Sequence, residues 1–139
     1  MGKSENMNKT YKGSCHCGAV RFEADTDLTQ GTFRCNCSIC FKSRAWMAAV
    51  PAQSFRLLAG EENLRDYQFG PKRLHHFFCS TCGVRPFSQG QDPDGNRFYA
   101  LRVNCLDGID AKEFVDAPIK YFDMHRDNMK TPPEETRHL

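Results

Sequence analysis

Apolar and charged residues alternate through Val20-Arg21-Phe22-Glu23-Ala24, which gives an extended segment one buried face and one wetted face. Runs of strand length, rich in aromatic or branched residues, recur at Thr32 to Cys35, Arg44 to Val50, Ser54 to Leu58, Leu64 to Phe69, Arg73 to Phe78, Arg97 to Val103 and Ile119 to Phe122. Turn residues separate them at Gly60-Glu61-Glu62-Asn63, at Gly70-Pro71, and at Gln91-Asp92-Pro93-Asp94-Gly95-Asn96, the last of which suits a hairpin loop. Asp110-Ala111-Lys112-Glu113 has the spacing of a capping signature and predicts a helical turn. The pattern therefore predicts one mainly β domain. Residues 1–10 and 129–139 are polar and are expected to be an untethered N-terminal segment and a C-terminal tail.

Seven of the eight cysteines fall into three clusters: Cys15-His16-Cys17, Cys35-Asn36-Cys37-Ser38-Ile39-Cys40 and Cys79-Ser80-Thr81-Cys82. Sulfurs one or two residues apart converge on a single ion, and thiolates are the ligands that tetrahedral zinc takes. Two pairs make a closed site. The remaining trio, Cys35, Cys37 and Cys40, can hold a second ion with its fourth position free, which is the arrangement that distinguishes catalytic from structural zinc. Alternate residues of a strand or turn point the same way, so His16 faces away from Cys15 and Cys17 and is not expected to be a ligand. Gly83 permits the tight backbone of a knuckle after Cys79 and Cys82. The segment from Cys35 to Cys40 reads as a loop after a strand, and Lys42 and Arg44 follow it closely, either to receive an anionic ligand or as an ordinary solvated face. His75 and His76 point to opposite faces of a strand and cannot ligate one ion side by side; one is expected near the knuckle, the other in solvent.

Three other uses of the cysteines are open. A disulfide framework suits an even count, but Met1 to Gly13 lacks the apolar core of an export signal, and cysteines one residue apart bridge poorly. A redox dithiol at Cys79 and Cys82 would need a surrounding βαβ pattern, which is missing. Alternatively, Cys105 closes the second site and makes both ions structural.

Charge and length narrow the partners. At 139 residues with a formal charge of +2, seven thiolates holding two zinc ions would bring the loaded chain near −1. That gives no electrostatic case for nucleic acid, and the basic residues are scattered rather than clustered. No apolar run approaches membrane-spanning length, and Asn6 stands where a myristoylation signal needs Ser or Thr. Reduced thiols without an export signal point to the cytoplasm.

The motifs Gly13-Ser14-Cys15-His16-Cys17-Gly18-Ala19-Val20-Arg21-Phe22, Cys35-Asn36-Cys37-Ser38-Ile39-Cys40 and Phe78-Cys79-Ser80-Thr81-Cys82-Gly83, in this order, resemble the glutathione-dependent formaldehyde-activating enzyme family, which also includes centromere protein V. The resemblance covers Tyr11 to Asn128, so that 11–128 is the expected zinc-binding domain. It implies a β-tent of stacked antiparallel sheets with zinc knuckles. It further implies a structural zinc on Cys15, Cys17, Cys79 and Cys82 and a catalytic zinc on Cys35, Cys37 and Cys40. The chain departs from the family pattern at Cys105, an extra thiol, and at Met129, where a tryptophan is common.

The implied activity is that of a carbon–sulfur lyase joining glutathione, or another small thiol, to formaldehyde to give S-hydroxymethylglutathione. The expected cofactors are two zinc ions, with glutathione as cosubstrate and its carboxylates met by Lys42, Arg44 or Arg85. Thiols add to formaldehyde without help, so a glutathione carrier is an alternative, as is a non-catalytic zinc-supported binding module.

Overall fold

The computed structural model describes residues 8–139. Expectations resting on Met1 to Met7, including the leader and acylation readings, lie outside them. The described chain is mainly β, as its alternation predicts. It has strands β1 (Lys9–Ser14), β2 (Arg21–Thr26), β3 (Thr32–Cys35), β4 (Met47–Pro51), β5 (Phe55–Ala59), β6 (Leu64–Tyr67), β7 (His75–Cys79), β8 (Phe87–Gln91), β9 (Arg97–Arg102), β10 (Leu106–Asp107) and β11 (Ile119–Phe122), with two short helices, α1 (Ser38–Ser43) and α2 (Ala111–Asp116).

These strands form two sheets. The smaller has the order β10-β1-β2-β5, and the larger has the order β11-β3-β4-β9-β8-β7-β6. Neighbours run antiparallel except β11 and β3, which pair in parallel from Ile119↔Thr32 to Phe122↔Cys35. The connection between β3 and β11 spans most of the domain, long enough for the chain to return in the same direction. Asp110 caps α2 by accepting from the Glu113 backbone N–H at 3.0 Å, as its spacing predicts.

Three strands were not expected from the sequence. In β1, Tyr11 and Gly13 point inward, and Gly13 hides the apolar alternation because the Phe22 ring fills the space of its missing side chain: a Cβ there would lie 2.3 Å from Phe22 Cζ. In β8, Gln89 and Gly90 interrupt the apolar pattern of a strand paired on both sides, between β7 and β9. The third, β10, is only two residues long. The expected loop from Cys35 to Cys40 also needs correction, because its second half is the start of α1, where the Phe41 N–H reaches Cys37 O at 2.8 Å. Strand β1 begins at Lys9, inside the segment expected to be untethered, and Leu139 at the end of the polar tail is buried.

The core lies between the sheets. Phe22 stacks on Phe55 at 5.3 Å, Phe55 on Tyr99 at 4.1 Å, and Phe87 meets Phe55 edge-on at 4.7 Å. Alternation then assigns the faces of the larger sheet. Phe77, Cys79, Phe87, Tyr99 and Leu101 belong to this inner core, while Ala45, Met47 and Ala100 form a second cluster with Phe33 and Cys40. His76, Ser88 and Ala100 are in register across β7, β8 and β9, and Met47 is in register with Arg102. The outer face of the larger sheet thus gathers Cys40, His76 and Arg102 from distant parts of the chain.

Candidate metal centres

The turn between β1 and β2 bends sharply enough to bring two sulfurs together. Cys15 N–H donates to Val20 O at 3.0 Å, and Gly18, in the left-handed region at φ +82°, donates to Cys15 O at 3.2 Å. Cys79 ends β7, and Gly83, at φ +78°, returns its N–H to Cys79 O at 2.8 Å, which folds Cys82 back. The four sulfurs of Cys15, Cys17, Cys79 and Cys82 all lie within 4.8 Å of one another. Cys15 to Cys17 is 3.6 Å and Cys17 to Cys79 is 3.7 Å. A tetrahedral ion with metal–sulfur bonds of about 2.3 Å needs sulfurs about 3.8 Å apart, so this donor set fits zinc and leaves no coordination position over.

Backbone amides also reach these sulfurs. Val20 N–H donates to Cys15 Sγ at 3.3 Å and Thr81 N–H to Cys79 Sγ at 3.4 Å. Backbone hydrogen bonds, first that from Cys82, bring the Cys79 thiol down to about 6. His16 is exposed on the same turn.

The second cluster is built differently. Cys35 closes β3, Cys37 caps α1 and Cys40 lies one turn into it, with all three sulfurs within 4.8 Å of one another. Cys37 N–H donates to Cys35 Sγ at 3.3 Å. Hydrogen bonds from Cys35 and then Cys40 hold the Cys37 thiol far below the usual range, and the mutual interaction raises Cys35 and Cys40. A bound cation would favour the thiolate form of all three. The geometry groups three cysteines and no fourth donor among the described residues.

Asn36, between two of these cysteines, is clamped from behind. Its Nδ2 donates to Asp123 Oδ1 at 2.7 Å, and its Oδ1 accepts from the His125 backbone N–H at 2.9 Å. Asp123 is buried. Sequence reasoning did not find this clamp, since its halves are 87 positions apart.

A cationic group adjoins the trio. Arg85 donates from Nη2 to His76 Nδ1 at 2.9 Å and from Nη1 to Ser43 Oγ at 3.3 Å. Arg102 Nη2 donates to the same hydroxyl at 3.4 Å. Burial lowers the basicity of Arg85, while Cys40 and Cys37 act in the opposite direction. Burial, then Arg85, brings Arg102 down to about 10, which still leaves it cationic at neutral pH. His76 is buried and stacks on Phe69 at 5.5 Å. Burial, and then Arg85, lowers its pKa and favours the neutral ring, and because Nδ1 accepts from Arg85 the ring proton sits on Nε2. Its neighbour His75 is on the other face, with Nδ1 2.6 Å from Asp66.

Of the three cations expected to meet an anionic ligand, only Arg85 is placed in this group. Lys42 is exposed, and Arg44 Nε donates to Leu139 O at 3.4 Å. Arg102 was not singled out by its sequence context; His76 was, as one of two histidines on opposite strand faces with one expected near the knuckle, and it is the one that packs against Arg85 beside the trio. Cys105 belongs to neither cluster: its thiol approaches Arg85 O at 3.9 Å, and burial pushes it up to about 11. Met129 is exposed. A separate cleft of about 800 Å³, lined by Lys72, Arg73 and Arg97 among others, contains no cysteine.

The chain is similar to known proteins in both sequence and fold. Residues 10–122 match the model of the family described as glutathione-dependent formaldehyde-activating enzyme. The crystal structure of a Rhodobacter sphaeroides protein, 34% identical over 78% of this chain and 99% of that one, superposes with a TM-score of 0.66. The match extends over most of the chain and over both cysteine clusters, and the chain belongs to the glutathione-dependent formaldehyde-activating enzyme family.

Proposed function

We propose that this protein is a zinc-dependent carbon–sulfur lyase-type enzyme that joins glutathione to formaldehyde, giving S-hydroxymethylglutathione. One observation supports the reading above the others: the chain supplies four sulfurs to one cluster and only three to the other, with a cationic group beside the smaller. Cys15, Cys17, Cys79 and Cys82 would staple the two sheets through a structural zinc. Cys35, Cys37 and Cys40 would hold the catalytic one.

A zinc ion held by Cys35, Cys37 and Cys40 would supply a fourth position that makes a thiol more acidic while keeping its sulfur nucleophilic. In the overall addition a carbon–sulfur bond forms, the carbonyl π bond breaks, and the carbonyl oxygen takes up one proton, equal in number to the one the thiol loses. Protein side chains contribute position and field. Asp123 and Asn36 fix the Cys35-to-Cys37 loop, so the sulfurs need not reorganise. Arg85 and Arg102 offset the negative charge that gathers at the site. His76, neutral and hydrogen-bonded through Nδ1, keeps the Arg85 guanidinium in place.

Because the uncatalysed addition is spontaneous, the test is exchange at equilibrium. With protein at about one-hundredth of substrate, two-dimensional NMR exchange between glutathione and its hydroxymethyl adduct should be faster than in buffer, and zinc removal or Cys37→Ser should abolish the gain. Binding of glutathione without faster exchange would mean a carrier. Binding of neither glutathione nor zinc at the trio would leave a zinc-supported scaffold.

A further inference from the structure

Two guanidiniums adjoin the three-cysteine cluster without the carboxylate that partly buried arginines ordinarily pair with. Neither Arg85 nor Arg102 forms a salt bridge among the described residues, although Arg56, Lys9, Lys112 and Arg137 all do. Their side-chain acceptors are one hydroxyl and one ring nitrogen. Ser43 Oγ already gives its own proton to Ile39 O at 2.6 Å, so it only accepts from the two arginines, over long distances of 3.3 and 3.4 Å. Arg85 Nε is buried with no partner at all. The group is thus heavily in surplus of donors. A buried donor left unsatisfied in a native structure calls for a physical explanation, and an unpaired buried charge is strongly disfavoured.

The thiolates supply only part of the counter-charge. A divalent ion on three thiolates carries a single negative charge, whereas two guanidiniums carry two positive ones. The missing acceptor is an anion that enters with the ligand. Two guanidiniums that converge on one hydroxyl, with one nitrogen of Arg102 engaged and Arg85 shared between that hydroxyl and His76, keep N–H groups to spare, which suit the two oxygens of a carboxylate better than a single carbonyl.

We infer that Arg85 and Arg102, aligned by Ser43, are specificity-determining residues that receive a carboxylate of the incoming thiol, so that the three-cysteine centre selects thiols bearing a carboxylate over uncharged thiols. This rests on the three-cysteine centre being open to a thiol. It assigns a role to Arg102 and Ser43 and narrows the substrate class. Glutathione and small mercapto acids satisfy it. Mercaptoethanol and the carboxylic esters of those acids do not.

The experiment compares pairs of thiols with the carboxylate free or esterified, using the zinc-loaded full chain: 3-mercaptopropionate against its methyl ester, and glutathione against its diethyl ester, by calorimetry at pH 7.5. Hydrogen bonds to a charged group favour the acid by about tenfold or more. In Arg102→Gln and in Arg85→Gln the acid-to-ester ratio should fall to within about threefold, with Arg102→Lys intermediate because the charge remains and the fork is lost. If the wild-type protein binds ester and acid equally, or if the variants weaken both by one common factor, the inference is overturned and the open centre stands. If no thiol binds, the open centre falls as well. The wild-type comparison is decisive by itself should the variants fail to fold.

Discussion

Replacing Gly60 by alanine should strike the four-cysteine cluster without touching a sulfur. Gly60 lies at φ +93°, and a Cβ built there would stand 2.2 Å from Ala19 O and 2.7 Å from Val20 Cα. Both are backbone atoms of the turn that carries Cys15 and Cys17, so no flexible side chain can move aside. Gly70 provides the control, with φ +58° and nothing within 4 Å of its Cβ position. A left-handed alanine is unfavourable by about 1–2 kcal/mol at either site. Forcing a methyl group into packed backbone adds about 1–3 kcal/mol, and only at Gly60. Gly60→Ala should therefore destabilise by about 2–5 kcal/mol, against about 1–2 kcal/mol for Gly70→Ala. Guanidinium unfolding at fixed zinc, followed through the single tryptophan, Trp46, measures both. Zinc release to a colorimetric chelator should also quicken in Gly60→Ala. Equal losses of stability in the two variants, or unchanged zinc release, would show that the Gly60 contact does not set the ligand turn.

Three further outcomes are expected. Asp123→Ala removes the acceptor that holds Asn36 and should weaken zinc retention at the three-cysteine centre by about 10–100-fold, leaving the other ion in place, as metal titration against a chelator would show. Cys105→Ala should retain the same zinc content as the wild type, because this thiol lies in neither cluster and is neutral at pH 7; loss of one ion by elemental analysis would make Cys105 a ligand after all. His76 is held neutral by burial, so its folded pKa lies below the unfolded value of about 6.5. The stability it contributes is complete above pH 6.5 and declines as the pH falls from there through the folded pKa. Unfolding from pH 8 to pH 5, compared with His76→Gln to cancel acid loss of zinc, should show the wild-type advantage shrinking toward low pH, and a growing advantage would reverse the sign of the argument.

How much of this was legible in the sequence depended on range. Cysteines one or two residues apart report their grouping locally, so both clusters could be read from spacing, as could the capped start of α2 and the two strands Thr32 to Cys35 and Ile119 to Phe122. Strand β8 was hidden because its inward Gln89 satisfies its amide on Arg97, in the orientation its hydrogen bonds require, and Gly90 yields its side-chain space to Leu74 and Phe98. Neither residue looks apolar in a list. The surroundings of the three-cysteine centre were beyond local pattern. Arg102 arrives on β9, His76 on β7 and Asp123 just after β11, and only sheet register brings them beside α1. Lys42 and Arg44 drew notice because they follow the trio in sequence, but of the three expected anion receivers only Arg85 is placed there, and it meets Arg102 on Ser43. Tertiary register outweighs chain proximity at this site.

The most direct check on the unequal division of sulfur is zinc K-edge absorption on the fully loaded chain, before and after glutathione. Seven protein sulfurs shared by two ions should appear with one lighter oxygen or nitrogen neighbour, and glutathione should replace that neighbour with an eighth sulfur. A complete four-sulfur shell on both ions before any thiol is added, or a spectrum that glutathione leaves unchanged, would contradict the open centre.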